Sequence, residues 1–235
     1  MIPVLDLLGG QVVRAQRGER SAYRPIISAL AAGSEPCGLA RALLAAAGTP
    51  ARGPALLYVA DLDALQGRAV QRALLADLLA ALPDTMLWLD AGFADRASAQ
   101  ALQAALGPRV QPVFASEALA SADALDGLAA DEHAILSLDS RGAQPLDPAG
   151  CWQRPNAWPR RVIVMTLDRV GAGLGPDLTT LNRLRDSAPG REWIGAGGVR
   201  TAADLAAAAR AGASAWLVAS ALHDGTLKPA PAHGH

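Results

Sequence analysis

Short apolar runs alternate with helical periods along this chain, and the alternation defines its architecture. The apolar runs are rich in aliphatic residues and are not interrupted by regularly spaced polar ones. Such continuous apolar character is typical of strands buried on both faces of a parallel sheet. The pattern predicts strands at 2–6, 55–61, 86–90, 110–114, 134–139, 162–168, 192–196 and 215–219. Eight strands joined by crossover segments are the number that closes a (β/α)8 barrel.

Helical periods fill most of the gaps between these strands, but not all of them. They predict helices over 36–47, 68–82, 96–106, 116–130, 177–187 and 201–211. The segment 146–160 contains three prolines, which prevent a regular helix, and few residues follow the eighth strand. We therefore predict an α/β fold, a TIM barrel over residues 1–226 with helices five and eight reduced. A disordered tail is expected at 227–235.

Two local features refine this barrel. Segment 11–17 alternates like a strand and directly follows Gly9 and Gly10, so it predicts a hairpin after the first strand. Trp152 and Trp158 lie in the slot of the reduced fifth helix. We expect them either to pack over the uncovered sheet or to meet a second subunit, which would make the protein a homodimer.

An internal repeat supports a barrel built from two related halves. Four segments of the first half match four segments of the second half in the same order. The pairs are PVLDLLGGQ (3–11) with LSLDSRGAQ (136–144), YVADLD (58–63) with IVMTLD (163–168), WLDAG (88–92) with WIGAG (193–197), and FASEAL (114–119) with VASAL (218–222). The larger offset of the first pair agrees with an extra hairpin after strand one.

Composition and charge exclude several classes of function. A net charge of −1 with scattered basic residues gives no electrostatic attraction for nucleic acid. No apolar run approaches the roughly 20 residues that cross a bilayer, and the N-terminus lacks a basic leader, so we expect a cytoplasmic protein that binds no membrane. Cys37 and Cys151 lie far apart without a metal-type spacing, which agrees with buried thiols in a reducing compartment.

Two aspartates close opposite strands of the predicted barrel. Asp6 ends strand one and Asp139 ends strand five, and the repeat places them at equivalent positions. The carboxyl ends of the strands form the active-site face of such barrels. Two carboxyl groups facing one pocket suit acid–base catalysis, with one group protonated and the other ionised. The alternative is that each aspartate caps its loop by accepting backbone hydrogen bonds.

A phosphate site is predicted at the ends of the last two strands. Gly197 and Gly198 stand between a strand and a helix, where free backbone N–H groups can surround an anion. Ala219 and Ser220 begin a second short helix after strand eight and add a hydroxyl donor. Loops seven and eight are the usual phosphate site of this architecture. The expected partner is therefore a phosphorylated small-molecule substrate.

The matching segment of the first half departs from this pattern. DAGFAD (90–95) stands opposite GAGGVR, with Phe93 in place of the second glycine and Asp95 in place of an arginine. Asp90 adds another negative charge. Carboxylates near a helix N-terminus repel phosphate. We expect this site to be lost, or to receive a neutral or cationic group.

Further polar residues are predicted on the same face of the barrel. Arginine suits bidentate recognition of phosphate or carboxylate, although a single loop arginine is equally well explained as a solvated charge. The sequence shows no metal-binding cluster and no phosphate-binding P-loop motif, so no metal or other cofactor is predicted. The substrate-binding candidates are Arg14, Arg17, Asp61, Asp63, Arg141, Thr166, Asp168, Arg169 and Gly171.

Taken together, DLLGGQVVRAQRG, VADLD, LSLDSRG, MTLDRVGAGLGPD, GAGGVRTAADL and VASAL resemble the histidine-biosynthesis barrels HisA and HisF. The resemblance extends from Ile2 to about Thr226. It implies acid–base catalysis by Asp6 and Asp139, as in the Amadori-type aldose–ketose isomerisation of a doubly phosphorylated ribosyl substrate by HisA. Two departures stand out, because Met165 replaces the family's threonine and Val170 replaces its assisting aspartate.

The stretches DLxGGxVVRAxRG and VMTLDRVG also resemble HisA-like proteins of tetrahydromethanopterin-linked one-carbon gene clusters. That resemblance implies a role in the metabolism of this pterin or of methanofuran. Three functions therefore stay open: an isomerising or condensing enzyme acting on a different phosphorylated metabolite, the histidine-pathway ProFAR isomerase, and a non-catalytic barrel that binds a phosphorylated ligand or serves as a scaffold.

Overall fold

The computed structural model describes residues 1–17, 19, 22–48, 50 and 53–227, and it contains a closed parallel barrel. Parallel pairing runs around the ring and is completed where Ile2 pairs with Leu217 and Pro3 with Val218. The eight barrel strands are β1 (Ile2–Leu8), β4 (Ala55–Asp61), β5 (Thr85–Asp90), β6 (Val110–Ala115), β7 (Ile135–Arg141), β9 (Arg161–Thr166), β10 (Glu192–Ala196) and β11 (Ala215–Val218). The predicted α/β TIM barrel is confirmed.

Short strands extend β1 and β7 beyond the ring. After β1 the chain turns into β2 (Gln11–Arg14), which pairs antiparallel with it, and then into β3 (Arg24–Pro25). After β7 it turns into β8 (Gln144–Pro145), which pairs in the same way. The hairpin predicted after strand one is present, and its smaller counterpart follows strand five. Both hairpins lie directly after a candidate catalytic aspartate, as the repeat requires.

The outer helices are uneven. They are α1 (Pro36–Ala47), α2 (Leu62–Leu65), α3 (Arg72–Ala81), α4 (Arg96–Leu106), α5 (Leu178–Ser187), α6 (Ala202–Arg210) and α7 (Ser220–His223). Helices five and eight are reduced as predicted, to 3-10 turns at Cys151–Gln153 and Pro155–Ala157 and to the single turn α7.

The helix predicted over 116–130 is wrong. Only a 3-10 turn forms, at Ala122–Leu125. The Ser116 side chain bonds to β7 and to the loop after it, which pulls the start of the segment away from a helical path. Gly127 has a φ of +83°, which ends regular structure at the other side. Other boundaries also move: Leu167 and Asp168 leave strand six for a 3-10 turn, and β1 and β7 continue past Asp6 and Asp139, which therefore do not end their strands.

Apolar residues fill the barrel interior and the space between the sheet and the helices. One buried side chain from every barrel strand contributes to the interior cluster, namely Ile2, Tyr58, Trp88, Val113, Ile135, Ile163, Ile194 and Leu217. Outside the ring, Trp158 covers the slot of the missing fifth helix, where its ring meets Trp193 edge-on at 6.0 Å. Trp158 therefore packs over the sheet within one chain, whereas the homodimer stays an expectation.

Leu227 stands at the start of the predicted tail. It is buried, and its N–H donates to the carbonyl of Ala221. The rest of the predicted tail, 228–235, lies outside the described residues.

Candidate active site

A cavity of about 440 Å³ opens at the carboxyl ends of the barrel strands. Asp6 and Asp139 line it from β1 and β7, which are the first and fifth strands of the ring, and so face it from opposite sides. Much of the wall is apolar, with Val4, Leu65 and Met165 among its residues. An apolar wall strengthens the electrostatic effect of the few charges that face the cavity.

Asp6 is a half-buried carboxyl group that accepts no hydrogen bond from the described residues. Its backbone is fixed by the ladder between β1 and β4, in register with Ala60. Burial, together with the negative charge of Asp90, raises the pKa of Asp6 to about 7. A carboxyl group with this pKa both releases and takes up a proton at neutral pH, as an acid–base catalyst must.

Asp139 is buried more deeply and is held by several donors. Ser137 Oγ lies 2.7 Å from one carboxylate oxygen, and Ser116 Oγ and the N–H of Glu117 lie 3.4 Å from the other. Burial and the charge of Glu117 raise the pKa of Asp139 well above its usual range, against the effect of the Ser137 hydrogen bond. Because burial raises the pKa of both aspartates, each can hold a proton at neutral pH.

A third carboxyl group joins this pair at the end of β5. Asp90 is buried and lines the cavity, where its Oδ2 accepts a hydrogen bond of 3.1 Å from the Tyr58 hydroxyl. The N–H of Gly92 donates to Oδ1 at 3.2 Å. Burial and the charges of Asp90 and Asp139 raise the pKa of Tyr58 well above its usual value. Tyr58 therefore keeps its proton and acts as a donor.

The predicted phosphate residues come together on the β10 and β11 side of the cavity. Gly197, Gly198, Ala219 and Ser220 all line it. Both glycines have φ values above +80°, which side-chain-bearing residues rarely adopt. A Cβ on Gly198 would overlap the carbonyl of Gly175, whose own N–H donates to Gly198 O at 3.0 Å. The glycine lets two loops touch and leaves its own N–H free of bonds to the described residues.

Trp216 holds the Gly197–Gly198 loop through a hydrogen bond. Its indole Nε1 donates to the carbonyl of Gly197 at 3.1 Å. The ring occupies the space above Gly195, where any side chain would overlap it. Because Gly195 has no side chain, the indole ring can lie against it and bind the carbonyl of Gly197.

The corresponding loop of the first half carries different side chains. Phe93, opposite Gly198 in the repeat, is buried and packs on Phe114 with ring centroids 6.1 Å apart. Asp95 caps α4 by accepting from the N–H of Ser98 at 2.8 Å. Ser116, opposite Ser220, is fully buried and donates to Leu146 O. The predicted loss of a twin phosphate site agrees with this geometry.

The substrate-binding candidates divide into two groups. Arg14, Arg141 and Gly171 line the cavity. Arg14 is already paired with Asp224, at 2.5 and 3.2 Å, and a Cβ on Gly171 would overlap Ala15 O. The candidates outside the cavity lining are Arg17, Asp61, Asp63, Thr166, Asp168 and Arg169.

The side chains of most candidates outside the cavity hold loops together. Asp61 accepts from the N–H groups of Asp63, Ala64 and Gln71, and so caps α2. Asp63 binds Gly9 N and Arg68, while Thr166 donates to Asp177. Asp168 accepts from Gly142 N, and Arg169 donates to the carbonyls of Leu174 and Gly175. The N–H of Arg17 donates to Val170 O.

Sequence reasoning overlooked seven polar residues of the cavity. They are Tyr23, Tyr58, Glu117, Arg200, Thr201, Asp224 and Thr226. Two of them left a signal, because Tyr58 stands two residues before Ala60 on the same face of β4 and Glu117 follows β6. The positions of Tyr23 and Arg200 depend on how their loops fold over the mouth, which no local pattern reveals.

The whole chain also resembles known proteins. A model of the family described as "Histidine biosynthesis protein" matches residues 1–228. The chain belongs to this family. Family membership agrees with the barrel, the two half-repeats and the opposed aspartates.

Individual relatives cover nearly the same length. An imidazole-4-carboxamide isomerase of Salinispora arenicola, named for a compound with two phosphoribosyl groups, is 32% identical over 99% of this chain and 95% of its own. The corresponding isomerase of Deinococcus radiodurans is 27% identical over 97% and 94%. An uncharacterized protein of Methanocaldococcus jannaschii is 23% identical over 97% and 94%. The chain is thus a divergent HisA-like barrel.

Two searches of the described residues give negative results. No group of three or more His, Cys, Asp or Glu side chains could hold a metal ion. Within the same residues, no helix has the length and apolar character to cross a membrane.

Proposed function

We propose that this HisA-like barrel is an enzyme that isomerises or condenses a small metabolite carrying one phosphate, with Asp6 and Asp139 transferring protons. The observation that carries the proposal is the arrangement of one cavity, in which two carboxyl groups face each other and the Gly197–Gly198 loop lies at one end only. Binding the phosphate at that end places the rest of the substrate between the two carboxyl groups.

The proton transfers follow from the state of the two carboxyl groups. One ionised aspartate removes a proton from carbon or from a hydroxyl, while the protonated partner delivers one to the oxygen or nitrogen on the opposite side. Burial, which raises the pKa of both groups, keeps a proton available at neutral pH. Such a sequence opens a sugar ring, forms an enol and returns the proton, as an aldose–ketose isomerisation requires.

The single phosphate distinguishes this proposal from the histidine-pathway reaction. The relatives' name contains two phosphoribosyl groups. In this chain Asp90 and Glu117 line the first-half end of the cavity, and two carboxyl groups there repel a second phosphate. Phe93 is buried in the loop after β5. We therefore expect that the purified protein does not turn over the isomerase substrate. Complementation of a strain lacking that isomerase would contradict the proposal.

A role in tetrahydromethanopterin or methanofuran metabolism is the biological setting that we propose. It rests on the sequence resemblance alone, and it predicts that deletion of the gene blocks formation of the cofactor without causing histidine auxotrophy. Histidine auxotrophy after deletion would reject this setting and would favour the ProFAR isomerase reading.

A decayed barrel that binds a phosphorylated ligand without catalysis is the competing function. Asp6→Asn and Asp139→Asn variants, expressed in the deletion strain, separate the two. An enzyme requires that both variants behave like the deletion, while Asp186→Asn, an exposed α5 residue, restores the phenotype. If both cavity variants restore it as well, catalysis by this pair is refuted.

A further inference from the structure

Tyr58 is a buried tyrosine that points its hydroxyl into the active-site cavity. It belongs to β4, is 3% exposed, and packs in the interior cluster of the barrel. The position opposite in the repeat is Ile163, which is fully buried and apolar. A barrel interior needs no hydroxyl for packing, because the apolar counterpart fills the equivalent place. The hydroxyl of Tyr58 therefore needs a polar explanation.

The partner of this hydroxyl is Asp90, which also has an unusual counterpart. Gly195 stands opposite Asp90 in the repeat, so the first half has a carboxylate where the second has no side chain. The Tyr58 hydroxyl donates to Oδ2, and the N–H of Gly92 donates to Oδ1. Both carboxylate oxygens are thus held, and hydrogen bonds of this charge-assisted kind stabilise the ionised form.

Asp90 lies at the level of Asp6 in the sheet, since Ala60 of β4 is in register with both residues, and both line the cavity. Besides burial, the negative charge of Asp90 raises the pKa of Asp6. The other acids on the cavity wall are Asp139, Glu117 and Asp224, and the charges of Glu117 and Asp90 both raise the pKa of Asp139. The basic groups of the wall are Arg14, Arg141 and Arg200. Arg14 is paired with Asp224 and Arg200 lies beside Asp204.

We propose that Tyr58 is a positioning residue that holds the ionised Asp90 carboxylate toward Asp6, and that this fixed charge lets Asp6 hold a proton that it gives up and regains during catalysis. The inference deepens the proposed function, since it rests on proton transfer by Asp6. It assigns distinct tasks to three neighbouring strands: β5 supplies the charge, β4 fixes it, and β1 carries the proton.

The hydroxyl is essential because an unheld Asp90 has two ways to relieve repulsion. It can turn toward solvent, or it can take up a proton itself. Either change reduces the negative charge that Asp6 experiences. The proton of Asp6 then leaves at lower pH, and Asp6 becomes a weaker source of protons at neutral pH.

The test follows the titration of Asp6 directly and needs no substrate. The protein is labelled with carbon-13 in the aspartate carboxyl groups, and Asp6→Asn identifies the Asp6 resonance in NMR spectra. We expect a midpoint at about 7 in the unmodified protein. Tyr58→Phe and Asp90→Asn should each lower this midpoint by about one pH unit. Asp90→Asn keeps the shape of the side chain, so it serves as a second route if Tyr58→Phe does not fold.

Thr166→Val is the matched control, since it also removes a buried hydroxyl that donates to an aspartate, here Asp177 at 2.9 Å. Neither Thr166 nor Asp177 lines the cavity, so the Asp6 midpoint should stay unchanged.

Two results would overturn the inference. An Asp6 midpoint that Asp90→Asn leaves unchanged removes the charge effect, and a midpoint lowered by Asp90→Asn but not by Tyr58→Phe removes the positioning role. Neither result bears on whether the Asp6→Asn and Asp139→Asn strains lose function, so a failure here is distinct from a failure of the proposed enzyme.

Discussion

The two halves of the barrel approach the cavity with equivalent strands, but they present opposite chemistry to it. In the second half, Gly198 and Ser220 offer donors for an anion. In the first half, the buried Phe93 stands at the position equivalent to Gly198. Ser116, equivalent to Ser220, accepts a hydrogen bond from the N–H of Asp139. Asp90 and Glu117 place carboxyl groups where an anion would otherwise bind.

This difference shows how a symmetric scaffold becomes one-sided. The strand positions are kept, because the barrel needs them, while the residue after each strand is free to change. Where the second half has Gly198, the first half has Phe93, whose ring is buried in the loop. Where the second half has Gly195, the first half has Asp90, whose charge raises the pKa of Asp6 on β1. In the proposed function, the same backbone thus serves binding in one half and proton transfer in the other.

The largest expected effect is on phosphate binding, which should depend on the glycine loop after β10 and not on the one after β5. Gly198→Ala should abolish binding of inorganic phosphate and lower the melting temperature, because its Cβ overlaps Gly175 O at a φ of +83°. Gly92→Ala, opposite Gly197 in the repeat, is the control in the first-half loop, since its Cβ meets only Leu65 and Ala64 at 3.4 Å or more. It should cost about 1 kcal/mol and leave phosphate binding intact. Calorimetric titration with phosphate measures both, and equal losses would contradict the one-sided site.

The next prediction concerns whether removal of the Phe93 ring creates a phosphate site in the first half. Phe93→Ala removes a buried ring and should destabilise the protein by about 3–5 kcal/mol in urea unfolding. The number of phosphate sites should stay at one, because Asp90 and Glu117 still repel a second anion. A second bound phosphate would mean that Phe93 alone closed the site, and that the carboxyl groups play no part.

The smallest effect compares an acid of each half through its pH dependence. The raised pKa of Asp6 means that the folded protein keeps a proton that the unfolded chain releases above about pH 4. This lowers stability as pH rises toward 7. The full pKa shift corresponds to about 4 kcal/mol, and the partial exposure of the carboxyl group reduces this, so Asp6→Asn should be more stable than the unmodified protein by about 2 kcal/mol at pH 8, and equal to it at pH 3.

Asp204 should behave with the opposite sign. Burial opposes its ionisation, but bonds from the N–H groups of Arg200 and Thr201 outweigh this and lower its pKa. Its contribution is present above the unfolded pKa and is lost in acid, so Asp204→Asn should cost about 1 kcal/mol at pH 8 and little at pH 3. Unfolding curves with the same sign for both variants would contradict this assignment.

Much of the fold followed from the sequence because barrel strands carry a strong signal. Continuous apolar runs gave all eight strands near their observed bounds, and the repeat placed Asp6 and Asp139 in equivalent environments. The helix over 116–130 failed because apolar spacing does not reveal that Ser116 bonds to β7 instead. In this segment, the tertiary hydrogen bonds of Ser116 outweighed the helical spacing of the apolar residues.

The site was predictable in part for a related reason. Residues at strand ends were found, since position along a strand determines where they point. Asp61, Asp63 and Asp168 have the same residue type at similar places, yet their hydrogen bonds to loops turn them away from the cavity. Tyr58 lies within β4 and not at its carboxyl end, so considering only strand ends and loops does not identify it. Side-chain direction, and not residue type, made the distinction.

The indole under the phosphate loop makes an unlabelled search for the substrate possible. Trp216 Nε1 is bonded to Gly197 O, so any ligand that orders this loop changes the polarity around the ring and with it the fluorescence emission. Phosphorylated metabolites can therefore be screened by emission alone, before the reaction is known. Subtracting the response of a Trp216→Phe variant removes the signal of the other four tryptophans of the five in the chain.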